Sequence, residues 1–268
     1  MTGQTNSARL YALSTAPTEP ATGECDTHGV YHVEVLVVDG DPLKPECPRC
    51  LRASLEEIDQ AERAAVAETR RRGRRKQRLA AIGLPPKLLA SRFEDYCTDG
   101  NDGAARQLAT IRNFANRWDE VRKTGENLAL CGWPGTGKTM LASIMCKQIV
   151  SENDAQPLYT TVSEMLRYVR GSYNKQSSYT ETQAIERFGK VDLLVIDEMG
   201  VKLASDFERS ALFEIVDLRY RYDLPTVIIS NLSIDELSDH TSERLVERLV
   251  ENGTLMVFDW DSHRGKAS

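Results

Sequence analysis

The sequence predicts an α/β fold, with a five-stranded parallel sheet buried on both faces and a small metal-stapled module ahead of it. Three observations predict it. Asn127 to Cys131 reads as a buried strand, the octet Gly132-Trp133-Pro134-Gly135-Thr136-Gly137-Lys138-Thr139 follows, and Met140 to Val150 continues as an apolar-striped helix. Val191 to Ile196 is a second continuous apolar run, of the kind buried in parallel sheets, and it stops abruptly at Asp197-Glu198. Upstream, Cys25-Asp26-Thr27-His28 and Cys47-Pro48-Arg49-Cys50 form two metal-type knuckles.

The octet fits the phosphate-binding pattern G-x-x-x-x-G-K-[ST]. Gly132, Gly135 and Gly137 let backbone N–H groups turn inward around phosphate oxygens, and the following helix N-terminus adds partial positive charge. Pro134, Thr136 and Met140 complete the nucleotide-binding stretch, Lys138 reaches the β- and γ-phosphates, and Thr139 holds magnesium. Two carboxylates at the C-terminal edge of a buried strand lie where open α/β sheets bind ligands. Asp197 is the expected second magnesium ligand, and Glu198 the group that polarises an attacking water.

Composition bounds the rest. A chain of 268 residues with 41% hydrophobic residues holds ample material for a core. No stretch approaches the roughly 20 apolar residues of a membrane span, and the polar N-terminus is not a secretory signal, so a cytoplasmic protein without membrane partners is expected. The net charge of −6 excludes a wholly basic nucleic-acid coat and leaves only local patches for that role. Six cysteines in such a chain point to metal or core use rather than disulfides.

Residues 1–24, rich in Thr, Ser, Ala and Pro, are expected to be disordered. Residues 25–55 form the zinc module: Cys25, His28, Cys47 and Cys50 make a Cys₃His set suited to tetrahedral zinc, with a strand at Val30 to Val38, and His32 is the rival ligand. Residues 56–80 read as a basic helical linker, with a weak apolar stripe running from Leu51 through Leu55 and Ile58 to Ala65. It culminates in Arg70 to Arg78, which can meet nucleic acid, an acidic protein face or only solvent. Residues 81–268 form the ATPase domain, with a helix at Ala104 to Lys123 and a strand at Pro157 to Val162. Between Ser163 and Gly189, the residues Arg167, Tyr168, Arg170, Tyr173, Lys175 and Tyr179 interleave basic and aromatic groups that can track a single-stranded phosphodiester, although ordinary exposed helices also carry them. A helix at Asp206 to Tyr222 and a strand at Pro225 to Ser230 lead to Asn231, a polar strand exit suited to the γ-phosphate region. Arg244 and Arg248 share one helix face, and Leu255 to Trp260 closes as the fifth strand.

Taken together, Ile82-Gly83-Leu84-Pro85-Pro86 with Phe93-Glu94-Asp95, the octet, Leu193 to Glu198, Ser230-Asn231, Glu243-Arg244 to Arg248 and Trp260-Asp261-Ser262-His263-Arg264 resemble the DnaC family of bacterial and phage helicase loaders, over about Ala80 to the C-terminus. The resemblance implies a P-loop NTPase of the AAA+ (ASCE) class without a C-terminal helical lid. It implies ATP, magnesium and zinc as cofactors, and the hexameric replicative DNA helicase, single-stranded DNA and further copies of the chain, in a ring or spiral, as partners. It also implies that Asn231 is the sensor-1 residue, Arg248 a trans-acting arginine finger, Arg264 a contact near the γ-phosphate, and the tyrosine- and arginine-bearing stretch a DNA grip. His263 stands where the family tail carries tyrosine. The expected activity is ATP hydrolysis that controls helicase loading and release. The rivals are a transposition helper ATPase acting on duplex DNA and a non-catalytic ATP-binding adaptor.

Overall fold

The computed structural model describes residues 17–200, 203 and 205–262, so His263 and Arg264 lie outside the described residues. Two compact units divide inside one helix, residues 1–72 and 73–268.

In the first unit, β1 (Thr18–Cys25) pairs antiparallel with β2 (Gly29–Val38), in register from Thr18 opposite Leu36 to Cys25 opposite Gly29, and β3 (Asp41–Pro42) adds a short third strand. Thr18 to Glu24 therefore lie in a strand, which corrects the expectation of disorder for those residues. The Thr-rich composition is polar because this strand is mostly solvent-facing, and its order comes from its partner rather than from its own burial. Only Val35 and Cys47 are buried apolar residues among the described residues of this unit. α1 (Pro48–Ala81) starts at the second knuckle and runs unbroken, so no boundary falls at residue 56. It has no buried residue, and Leu51, Leu55 and Ile58 are exposed.

The second unit is organised around a sheet of order β5-β6-β7-β4-β8, all parallel: β4 (Asn127–Gly132), β5 (Pro157–Thr161), β6 (Leu193–Met199), β7 (Thr226–Ser230) and β8 (Gly253–Phe258). β7 separates the two motif strands β4 and β6. One face of the sheet packs on α3 (Asp102–Asn116), α4 (Trp118–Thr124) and α5 (Lys138–Glu152), α2 (Pro86–Leu89) being a short helical turn before them; the packing runs through Ile111, Phe114, Trp118, Leu141 and Met145. The other packs on α6 (Val162–Gly171), α7 (Glu181–Gly189), α8 (Asp206–Arg221) and α10 (Glu243–Val250). The single helix expected from Ala104 to Lys123 is two helices, parted at Arg117, whose guanidinium turns to Glu126 at 3.0 Å. α9 (Ile234–His240) is an element the apolar pattern does not signal; Ser233 and Glu236 start it with a reciprocal capping box.

Arg219 of α8 is fully buried without a hydrogen-bonded carboxylate among the described residues. Instead it donates to the carbonyls of Phe188, Val191 and Pro225 at 3.0, 2.9 and 2.6 Å and to Thr226 Oγ1 at 2.9 Å. Burial draws its pKa down to about 9, so the carbonyl dipoles hold a charge that the interior disfavours. This tie fixes the N-terminal ends of β6 and β7, opposite the ends that carry the site.

Candidate nucleotide site and metal cluster

A cleft of about 1080 Å³ opens at the C-terminal ends of β4, β6 and β7, and it brings together Pro134, Gly135, Gly137, Lys138, Thr139, Met140, Asp197, Glu198 and Asn231. The loop between β4 and α5 adopts its shape because two positions must be glycine. Gly132 (φ 124°) lies against the Phe258 backbone, and Gly137 (φ 94°) lies against the Tyr96 ring; a Cβ would collide at both. Thr136, fully buried, donates from Oγ1 to the Trp133 carbonyl at 2.9 Å and so braces the turn. Lys138 is also buried, and its Nζ donates to the carbonyls of Gly132 and Trp133 at 2.7 and 2.6 Å. The ammonium is thereby held over the loop, at the mouth of the helix N-terminus, where phosphate oxygens can replace those carbonyls.

Thr139 Oγ1 donates to Asp197 Oδ2 at 2.9 Å, so a hydroxyl and a carboxylate from different elements converge as hard oxygen donors. That set fits magnesium, which takes one or two protein oxygens and completes its shell with phosphates and water. Asp197 also accepts the Glu198 backbone N–H at 2.7 Å. Glu198 sits at an irregularity between Ile196 and Met199 with φ 60°, a left-handed conformation rarely adopted by glutamate. Its side chain is exposed into the cleft, whereas its neighbours on β6 are buried. Strain of about 1–3 kcal/mol is typical of such residues and is concentrated at functional positions. Asn231 follows the last residue of β7 and also faces the cleft.

Two contributions escape the motifs. Tyr159 on β5 is nearly buried, and its hydroxyl donates to the same Asp197 Oδ2 at 2.6 Å. Burial and the adjacent carboxylate raise its pKa, so it stays a neutral donor. Thr139 can turn toward a metal, but Tyr159 continues to hold the carboxylate in place. Tyr159→Phe is expected to raise the magnesium concentration for half-maximal ATP turnover on the order of tenfold, with the rate at saturating magnesium little changed. A magnesium titration of ATP hydrolysis checks it.

The second contribution is the strap that precedes α3. Gly83, Leu84, Pro85, Leu88 and Tyr96 line the cleft, and Tyr96 Oη donates to the Thr136 carbonyl at 2.9 Å. Lys147 of α5 clamps the strap by donating to the carbonyls of Leu88 (2.7 Å), Leu89 (3.1 Å) and Ser91. In the sequence the Gly83-Leu84-Pro85-Pro86 run counts only toward the family resemblance, and nothing in its spacing places it at the cleft.

The remaining predicted residues are less uniform. Arg248 is in an ion pair with Asp217 and lies over the rings of Phe213 and Tyr220 at 4.6 and 5.2 Å from their centroids. Arg244 lies over the same Phe213, at 5.3 Å. Of the basic and aromatic set, Tyr168 is a packing residue rather than an open stacking platform: its ring stacks on Tyr179 at 4.5 Å, meets Phe188 edge-on and carries the Arg187 guanidinium 4.8 Å from its centroid. Arg170 pairs with Glu208 at 2.6 Å, and Tyr173 is hydrogen-bonded to Glu181 with its ring edge-on to Phe207. Arg167 and Lys175 are exposed.

In the N-terminal unit, Cys25, His28, Cys47 and Cys50 place one ligand atom each within 4.8 Å of one another. His28 Nδ1 lies 3.7, 3.6 and 3.3 Å from the sulfurs of Cys25, Cys47 and Cys50, and the sulfurs of Cys25 and Cys50 are 3.6 Å apart. Zinc bonds of about 2.0–2.3 Å in a tetrahedron give edges of about 3.5–3.8 Å, so the cluster fits a zinc ion. The backbone N–H groups of Thr27 and His28 pull the Cys25 thiol down to about 6, while the hydrogen bond to that sulfur, with desolvation, pushes the Cys50 thiol up to about 11. The rival ligand His32 is turned away: its Nδ1 meets Thr22 Oγ1 across the β1–β2 pair at 3.0 Å.

A family described as IstB-like ATP binding protein matches residues 51–268, a span that contains the whole cleft. The chain belongs to that family. Among its relatives, the replicative helicase loader DnaC of Escherichia coli K12 is 29% identical over 211 residues, covering 77% of this chain and 82% of the loader. A crystal structure of the DnaC helicase loader matches the fold with TM-score 0.59 at 22% identity, over 65% of this chain and 99% of that one. A crystal structure of DnaI gives 0.58 at 21%, over 70% of this chain and 100% of the other. The IstB-like chain therefore has the AAA+ P-loop fold expected of it, and no helix among its described residues is long and apolar enough to cross a membrane.

Proposed function

We propose that the protein is an ATP-dependent helicase loader that engages a replicative DNA helicase and single-stranded DNA and uses ATP binding and hydrolysis to control loading and release. One observation carries the reading: the similarity to a replicative helicase loader spans 77% of the chain, and the residues that the family covers contain the cleft that brings Lys138, Thr139, Asp197 and Glu198 together.

In this reading Lys138 and the loop N–H groups hold the β- and γ-phosphates, and Thr139 and Asp197 present their oxygens to magnesium. An ion held by Thr139 and Asp197 would supply positive charge against the negative charge that develops during phosphoryl transfer. Glu198 orients and polarises the attacking water, its strained backbone keeping the carboxylate aimed into the cleft, and Asn231 contacts the γ-phosphate side. Arg264 is assigned to that same side by resemblance. Arg248 would act on a neighbouring copy's nucleotide in a ring or spiral, exchanging Asp217 for phosphate as it does so. Arg167, Arg170, Tyr173 and Lys175 supply the single-strand grip, with Tyr168 as its support. Helicase binding is assigned by resemblance to the N-terminal module, residues 25–55, which the zinc cluster shapes.

The IstB-like family description favours one second reading, a transposition helper acting on duplex DNA. Loading of the replicative helicase onto closed circular single-stranded DNA separates the two. A loader promotes it with ATP and prefers single strands; a duplex-selective protein that leaves the helicase unloaded is a transposition helper.

A further inference from the structure

Away from the nucleotide cleft, a groove of about 490 Å³ lies along the outer edge strand β5. One wall is the end of α1, where Arg74, Gln77, Arg78 and Ala81 recur at i, i+3, i+4 and i+7 and so share a face. Opposite stands Arg187 at the end of α7, and Leu158 and Val191 contribute apolar surface between them.

The chemistry of this groove is one-sided. Three arginines face a single carboxylate, Asp154, among the described residues, in a chain whose net charge is −6. Asp154 pairs with Arg78, but its side chain is 90% exposed, so that bond is weak and readily exchanged. Arg78 Nε is buried with no hydrogen-bond partner among the described residues, a donor left without its acceptor. Arg187 is held over the Tyr168 ring, so its position is fixed by packing rather than by a carboxylate. Guanidinium forks match phosphate oxygens in pairs, and Arg74 and Arg78, one helical turn apart, can take separate phosphates.

We propose that the groove lined by Arg74, Arg78 and Arg187 is a phosphodiester track for single-stranded nucleic acid. It rests on the single-strand reading above and extends it. Arg187 joins the groove to α6 through Tyr168, so the strand that α6 grips continues along β5 to the end of α1.

The test is fluorescence anisotropy of a labelled oligo(dT) of about 20 nucleotides with the full chain, ATP and magnesium, titrated between about 50 and 200 mM salt. Arg74→Gln combined with Arg187→Gln should weaken binding and lower the slope of log affinity against log salt by about 1.4, at about 0.7 for each phosphate that is no longer neutralised. Asp154→Asn should do the opposite, tightening binding by freeing Arg78. Basal ATP hydrolysis and the thermal melt should match wild type in both. An unchanged affinity and slope in the double variant, beside a wild type that binds, overturns the track alone. Loss of helicase capture with DNA binding unchanged also overturns it, by giving the groove to an acidic protein partner. A wild type that fails to bind the oligonucleotide removes the single-strand reading itself, and the track with it.

Discussion

Glu198→Gln is expected to slow ATP hydrolysis by about 10²–10⁴-fold while leaving ATP affinity close to wild type. Glu198 follows Asp197 on β6 with its side chain exposed into the cleft, whereas Asp197 is buried and accepts hydrogen bonds from Thr139 and Tyr159. Glutamine keeps the size and the φ 60° backbone, so the loop, Lys138 and the Asp197 oxygens stay in place; it lacks only the charge to which the proposed mechanism assigns water polarisation. Lys138→Ala should differ in kind, losing affinity together with turnover, because in the proposed mechanism its ammonium, held over the loop by the Gly132 and Trp133 carbonyls, meets the β- and γ-phosphates. Nucleotide binding by calorimetry and turnover by phosphate release separate the two. A Glu198→Gln protein that hydrolyses ATP like wild type would remove Glu198 from the mechanism and favour an adaptor that merely binds ATP.

Removal of zinc is expected to unfold the N-terminal unit and spare the ATPase unit. The three strands bury almost nothing, Val35 and Cys47 being the buried apolar residues described there, so burial cannot stabilise them alone. A structural zinc ion supplies about 10–16 kcal/mol in comparable small modules. The four ligand atoms come from the β1–β2 turn and the start of α1, so losing the ion releases both ends of the module together. Cys47→Ser should purify with far less than one zinc per chain and expose the β1–β2 amides to rapid hydrogen exchange. The core of β4, β6 and β7, with its fully buried Leu130, Ile196 and Ile228, should stay protected. Protection of β1 and β2 unchanged by metal removal would mean that strand pairing alone holds the module.

What is legible in the chain depends on where each signal lies. The phosphate loop and the Asp197-Glu198 pair are local: the residue types, the apolar strand before each and the abrupt polar stop are contiguous, and the structure brings both motifs to one cleft. The strand between them, with Asn231 at its end, is legible for the same reason. Tyr159 is not, because its value lies in a hydroxyl that reaches from β5 to a neighbouring strand, and no spacing in the chain encodes that pairing. The strap from Gly83 to Tyr96 carries part of the family resemblance, but its place at the cleft is not legible until Lys147 and Thr136 are seen to hold it there. β1 is hidden in a polar composition because an antiparallel partner, rather than a buried face, orders it. The basic neighbours of Tyr168 suggest a DNA-facing ring, yet that ring is taken by Tyr179 and Arg187, which come from a helix and loop that follow it in the chain.

The most direct test of the loader account is co-purification of the full chain with the replicative helicase of its own host, in ATP and magnesium, with Cys47→Ser alongside. The account predicts a stoichiometric complex for the wild type that disappears with the zinc ligand. No complex from the wild type, with ATP hydrolysis and DNA binding intact, would contradict it and turn the search toward a transposase as partner.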